Sequence, residues 1–286
     1  SNLRERIMSI KIYPIQTGHV RIRPSQQIGK GRDSMRMINL LRDREWTPWL
    51  PILCWLIEHP SGYIMVDTGE TAKITNAGHL PAWHPFYRNV QFDVQAEDEV
   101  GAQLHAIGID PREIDTVIMT HLHTDHAGAL YAFPHAEFIV SRAEYNSAIG
   151  IMGRLNGYLP HHWDNTFQPT LLDFEPVNIG AFEKGYSLRE GITLLSTPGH
   201  ANGHLSVYVE TAPQPTIIAG DVTYTLEQLQ NQQIDGVSQN SKQQYDTLAR
   251  MLETVQLYDA IYLPSHDPDS ISRLETQLGT DALFLA

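Results

Sequence analysis

The sequence predicts an α/β protein, a single domain over residues 1–286, on three observations. Strand-like apolar runs recur along the chain, stretches of helical period lie between them, and three of the four later runs end in histidine or aspartate. The composition, 42% hydrophobic and 19% charged, can fill a sizeable core and does not read as disordered. Large α/β folds reach this length as one unit.

Taken in order, "SIKIYPI" and "LPILCWLIEHPSGYIMVDTG" are rich in β-branched and aromatic residues. A Pro-Ser-Gly turn splits the second run, so both read as paired strands that end at Asp67, Thr68 and Gly69. Residues 18–50 and 70–95 lack clear periodicity and are expected to be loop insertions. The second is rich in aromatics and prolines and suits either a lid near a pocket or a well-packed surface loop. "AEDEVGAQLHAIGI" places Val100, Leu104 and Ile107 on one helical face, with acidic residues in its first turn and Gly108 at its end. "DTVIM" and "AEFIVS" read as strands, as do the runs within "GITLLSTPGH", "GHLSVYVE", "PTIIAGD" and "AIYLPSH". Residues 241–257 have helical period, with Tyr245, Leu248, Leu252 and Val255 on one face and Ser241 as the expected cap.

Composition also narrows the partners. The 33 acidic residues against 20 basic give a formal charge of -13, which repels a phosphate backbone, so nucleic acid is not expected. The one cysteine, Cys54, reads as a small buried hydrophobe and is compatible with a reducing compartment. No apolar run approaches the roughly 20 residues that span a bilayer. The start, "SNLRERIMSIKIYP", has no apolar signal-peptide core, so cytoplasmic residence without a membrane partner is expected.

"THLHTDHAG", Thr120 to Gly128, is the densest chemical signal. Residues two apart on an extended backbone point the same way, so His121 and His123 can converge on one ion. Asp125 and His126, beyond a turn, can serve a second. Imidazole and carboxylate suit zinc, with iron, manganese or cobalt as alternatives, whereas one cysteine excludes a thiolate site. A hydrolytic two-metal centre also needs further ligands and a bridging carboxylate. Later strand ends offer His200, Asp221 and His266. The expected assignment is His121, His123 and His200 on one ion, Asp125, His126 and His266 on the other, and Asp221 between them. Asp67 is expected to steady the ligand loop by hydrogen bonding. His59, His79, His84, His105, His135, His161, His162 and His204 are left as packing or surface residues.

In their order, "VDTG", "HLHTDHAG", "TPGH", "GD" and a late histidine resemble the metallo-β-lactamase superfamily over roughly residues 50–270. The resemblance implies an αβ/βα four-layer sandwich with two divalent ions at one edge of facing sheets. Within the superfamily the chain is most similar to the N-acyl-homoserine lactone lactonases. It carries Tyr224 in "GDVTY", where those enzymes place a tyrosine that reaches the substrate carbonyl. This implies lactone ring opening by a metal-bridging hydroxide, with Tyr224 and Asp125 as catalytic groups, a small-molecule lactone or ester substrate, and a homodimer. Thr124 occupies the slot where some relatives carry a bulkier residue facing the acyl chain. Another lactone, an aryl ester or a phosphotriester is the alternative substrate, and a non-catalytic metal-binding module is the alternative of another class. A β-lactamase is disfavoured because many zinc β-lactamases place a cysteine at the position of Asp221.

Overall fold

The structure, a computed structural model, describes residues 10–279 apart from 33, 82, 83, 85, 164 and 166. The two ends of the span 1–286, and the serine that opens "SIKIYPI", lie outside the described residues. The first seven strands form one sheet: β1 (Lys11–Ile22), β2 (Leu50–His59), β3 (Gly62–Val66), β4 (Val90–Asp93), β5 (Ile114–Ile118), β6 (Glu137–Ser141) and β7 (Thr170–Leu172). Their spatial order is β4-β1-β2-β3-β5-β6-β7. The β1–β2 and β2–β3 pairs are antiparallel, as the turn between the early runs requires, whereas β3, β5, β6 and β7 run parallel. The second sheet holds β8 (Glu175–Ile179), β9 (Phe182–Arg189), β10 (Ile192–Ser196), β11 (Leu205–Val209), β12 (Thr216–Gly220) and β13 (Ile261–Pro264), in the reverse order β13 to β8.

Period-two alternation explains the layering. On β2, Leu53, Trp55 and Ile57 face the second sheet, where Leu194, Val207 and Ile218 meet them in one buried cluster. Cys54 and Leu56 point the other way. There they pack with Val100 and Leu104 of a helix whose buried stripe covers the first sheet. On the far side, Ile217, Ala219 and Tyr262 of the second sheet pack against Leu248, Met251 and Val255 of a long helix. The order is helices, sheet, sheet, helices, the four-layer α/β sandwich that the resemblance implies.

Eight α-helices are described: α1 (Pro24–Gln27), α2 (Ser34–Arg42), α3 (Val100–Ala106), α4 (Thr124–Ala127), α5 (Arg142–Ile149), α6 (Leu226–Gln230), α7 (Ser241–Tyr258) and α8 (Ser270–Glu275). None is long and apolar enough to cross a membrane. Residues 18–50 are not one loop, because β1 continues to Ile22 and α1 and α2 follow it. Residues 70–95 contain short 3-10 turns and the edge strand β4. On α3, Val100 and Leu104 are buried as expected, but Ile107 lies past the helix end and is 51% exposed. On α7, Leu248 and Val255 face the core, Met251 joins them, and Tyr245 turns out to solvent at 52% exposure. Its cap is Asn240, whose side chain accepts the Gln243 N–H, and Ser241 is already the first helical residue.

The inter-sheet contact gives a direct test. Ile218→Ala removes methyl groups from the middle of the buried cluster and should lower unfolding free energy by about 2–5 kcal/mol in denaturant titration. A loss under about 1 kcal/mol would contradict a close-packed interface.

Candidate metal centre

The candidate ligands sit where strands stop. β5 ends at Ile118 and runs into the His121–His126 loop, while His200, Asp221 and His266 follow β10, β12 and β13. Two backbone bonds join the sheets at this edge: Leu205 N–H donates to the Thr120 carbonyl and Leu53 N–H to the Ser265 carbonyl, each at 2.9 Å. The turn after β12 needs Gly220, which has φ +61° and on which a Cβ would lie 2.6 Å from the His204 ring.

All seven candidate ligands converge, in three groups: His121 with His123 and His200; Asp125 with His126 and His266; and Asp221 with His121 and His126. Asp221 lies between the other two groups. Its Oδ1 is 3.3 Å from His126 Nε2, and its Oδ2 is 3.4 Å from His266 Nε2 and 3.6 Å from His200 Nε2. Asp125 Oδ2 lies 3.4 Å from His266 Nε2.

Each ring is aimed by the bond on its other nitrogen. His266 Nδ1–H donates to the Pro51 carbonyl at 2.9 Å, and His123 Nε2–H to the Asn156 carbonyl at 3.0 Å. His126 Nδ1 pairs with Asp67 Oδ2 at 2.8 Å, His200 Nδ1 with Asp235 Oδ2 at 3.0 Å, and His121 Nδ1 with Thr120 Oγ1 at 3.1 Å. Asp67 also accepts the Thr120 N–H and hydroxyl at 2.8 and 2.7 Å, so it pins the loop on which four candidate ligands lie.

The inward-facing atoms fit divalent cations. His121 Nε2, His126 Nε2 and Asp221 Oδ1 are buried and have no hydrogen-bond partner among the described residues. His123 Nδ1 and His200 Nε2 face each other at 3.1 Å although each ring already commits its proton to an outer acceptor. With both rings neutral, as ligands must be, two lone pairs at that separation repel unless positive charge lies between them.

The electrostatics divide the rings into two groups. Burial, reinforced by neighbouring imidazoles, holds His121 and His123 well below the ordinary histidine value, so both stay neutral and able to donate a lone pair. Burial acts the same way on His126, His200 and His266, but there nearby carboxylates outweigh it and raise the rings. Burial would raise the Asp221 carboxyl, yet His266 and His126 hold it well below the usual range. Tyr224 is 4% exposed and its ring stacks on His266 at 5.4 Å between centroids. Burial first, then Asp221 and Asp235, push its phenol far above 10, so it stays protonated.

A cavity of about 260 Å³ opens onto this cluster, reaching His123, Asp125, His200, Asp221, Tyr224 and His266. Its apolar wall includes Val20, Ile22 and Met37 from the segment 18–50 and Val90 and Phe92 from 70–95. Thr124 also lines it.

Three supporting residues escape the sequence reading. Asp235 orients His200. Glu144 is buried and takes the Leu122 N–H at 3.0 Å and the Gly203 N–H at 3.1 Å, tying the first ligand loop to the one after β10. His204, left with the packing histidines, is buried and accepts the Asp221 N–H on Nε2 at 3.0 Å. Burial first, with the nearby His200, pulls this ring down to about 3, which keeps that acceptor unprotonated.

Residues 47–266 match the metallo-β-lactamase superfamily model. An N-acyl homoserine lactonase of a Bacillus species is 30% identical over 219 residues, covering 76% of this chain and 82% of that protein. The N-acyl homoserine lactonase AttM of Agrobacterium fabrum is 30% identical over 229 residues, covering 77% and 83%. A solved N-acyl homoserine lactone hydrolase, with the product N-hexanoyl-L-homoserine bound at its catalytic metal centre, shares the fold at a TM-score of 0.73. It is 23% identical, with 92% of this chain and 95% of that one covered. The match of a family model over most of the chain and the shared sandwich lead to one assignment: this chain belongs to the metallo-β-lactamase superfamily, beside the N-acyl homoserine lactonases it resembles.

Proposed function

We propose that this hydrolase opens the lactone ring of N-acyl-homoserine lactones. The observation that carries the reading is the meeting, in one cavity, of two ligand groups joined through Asp221, a protonated Tyr224 and an apolar wall. Relatives named for this activity support it. His121, His123 and His200 would hold one divalent ion and Asp125, His126 and His266 the other, with Asp221 shared. The mixed nitrogen and oxygen donors suit zinc first. When bound, such a pair lowers the pKa of a water from about 15.7 towards about 7 and so supplies hydroxide at neutral pH.

The chain's own groups do the rest. Tyr224, kept protonated by burial, donates a hydrogen bond to the lactone carbonyl oxygen as it gains charge. Asp125 lines the cavity, and its side chain, at 16% exposure, is more open than that of Asp221 at 5%. It takes up the proton released when the water is activated and passes it to the ring oxygen as the C–O bond breaks. Val20, Ile22 and Phe92 take the acyl tail and exclude water from it.

Ring opening of homoserine lactones across acyl lengths, run beside an aryl ester and a paraoxon-like phosphotriester, tests the assignment. Turnover favouring the phosphotriester would sink it. Tyr224→Phe should keep its metal and lose about 10²–10³ in kcat. Unchanged turnover would remove the phenol from the mechanism. Asp221→Ala should sharply lower bound metal, and a fully loaded variant would refute the shared carboxylate. Asp235→Ala should weaken metal binding by about 10–100-fold in chelator competition, because His200 loses the bond that aims it.

A further inference from the structure

One buried polar side chain in the cavity wall has no role in the chemistry above. Gln26, on α1, is 3% exposed and lines the cavity together with Val20, Ile22, Phe92 and Tyr224. Its Oε1 has no hydrogen-bond partner among the described residues. Leaving a buried amide oxygen unpaired is costly, so the chain is expected to retain one only where a donor arrives.

The residue is held firmly. Its N–H donates to the Arg23 carbonyl and its own carbonyl accepts the Gly236 N–H, both at 2.8 Å. The preceding Ser25 donates its N–H and its hydroxyl to Asp43 at 2.9 and 2.6 Å. A Cβ on Gly236 would lie 2.1 Å from the Ser25 carbonyl, so the two segments touch at backbone distance. Gln228 bridges onward: its Nε2 donates to the Gln27 carbonyl and its Oε1 accepts the Tyr224 N–H, each at 2.8 Å. α1 and Tyr224 are therefore held by the same clamp. The Gln26 Oε1 is left without a partner in this clamp.

An N-acyl-homoserine lactone has three parts in sequence: a ring carbonyl, a secondary amide and an apolar tail. The cavity is lined by groups that suit each part: Tyr224, Gln26, and the apolar Val20, Ile22 and Phe92. We propose that Gln26 is a specificity-determining residue whose Oε1 accepts the amide N–H of the N-acyl group. The assignment rests on the lactonase reading above and adds what selects among lactones. A site built to bond an N–H disfavours the analogue without it, because its own acceptor is then left unpaired.

The test compares N-acyl-homoserine lactones with their N-methylated counterparts of equal chain length, in the metal-loaded enzyme. The readout is the ratio of kcat/KM between the two. Wild type should prefer the N–H substrate by about tenfold or more, and Gln26→Leu and Gln26→Met should bring that ratio close to one. Because the readout is a ratio within each variant, partial loss of folded protein does not disturb it. An amide-free γ-lactone with the same tail should be disfavoured by wild type in the same way as the N-methyl compound. A wild type indifferent to the N–H, or variants that keep the preference, overturns the role of Gln26 and leaves the lactonase reading standing. Failure to open any homoserine lactone overturns both.

Discussion

The Asp67 carboxylate is the constraint on which the site depends. It closes β3 in a left-handed conformation, φ +62°, that few non-glycine residues adopt. From there its two oxygens take the backbone and hydroxyl of Thr120 and the outer nitrogen of His126. The parallel neighbours β3 and β5 thus end in one hydrogen-bonded knot, and the ligand loop leaves that knot in a fixed direction. Asp235 does the corresponding work for His200 and the Pro51 carbonyl for His266. Inner atoms can stay free because the outer ones are all committed.

Such a centre works against the fold that carries it. Burying polar atoms without partners is unfavourable, and here several point at one another instead of at water. The sandwich can bear this because the strain is confined to one edge, while Leu53, Trp55, Ile57, Leu194, Val207 and Ile218 fill the space between the sheets. A cation bound at that edge would relieve the repulsion and so favour the folded form.

Much of this was legible in the sequence, for identifiable reasons. Strands with one strongly apolar face announce themselves, so β2, β3, β10, β11, β12 and β13 were expected where they occur. The histidines and aspartates at their ends shared spacing and position, which is why they could be named together. β8 and β9 carried no such signal, since β8 is an edge strand of mostly exposed residues. Tyr245 fitted the helical period of α7 and still faces water, because period alone does not say how wide the buried stripe is. Asp235, Glu144 and His204 were missed for another reason. Their importance lies in bonds to residues that other loops bring near, and a lone carboxylate or imidazole has no spacing to betray that.

Part of the cavity wall comes from a different stretch of chain than the floor. Val20, Ile22, Gln26 and Met37 come from a stretch before residue 47, ahead of the part that matches the superfamily, whereas the candidate ligands all lie within it. Substitutions in that stretch can therefore alter part of what the cavity admits while the ligand set, carried elsewhere in the chain, stays as it is.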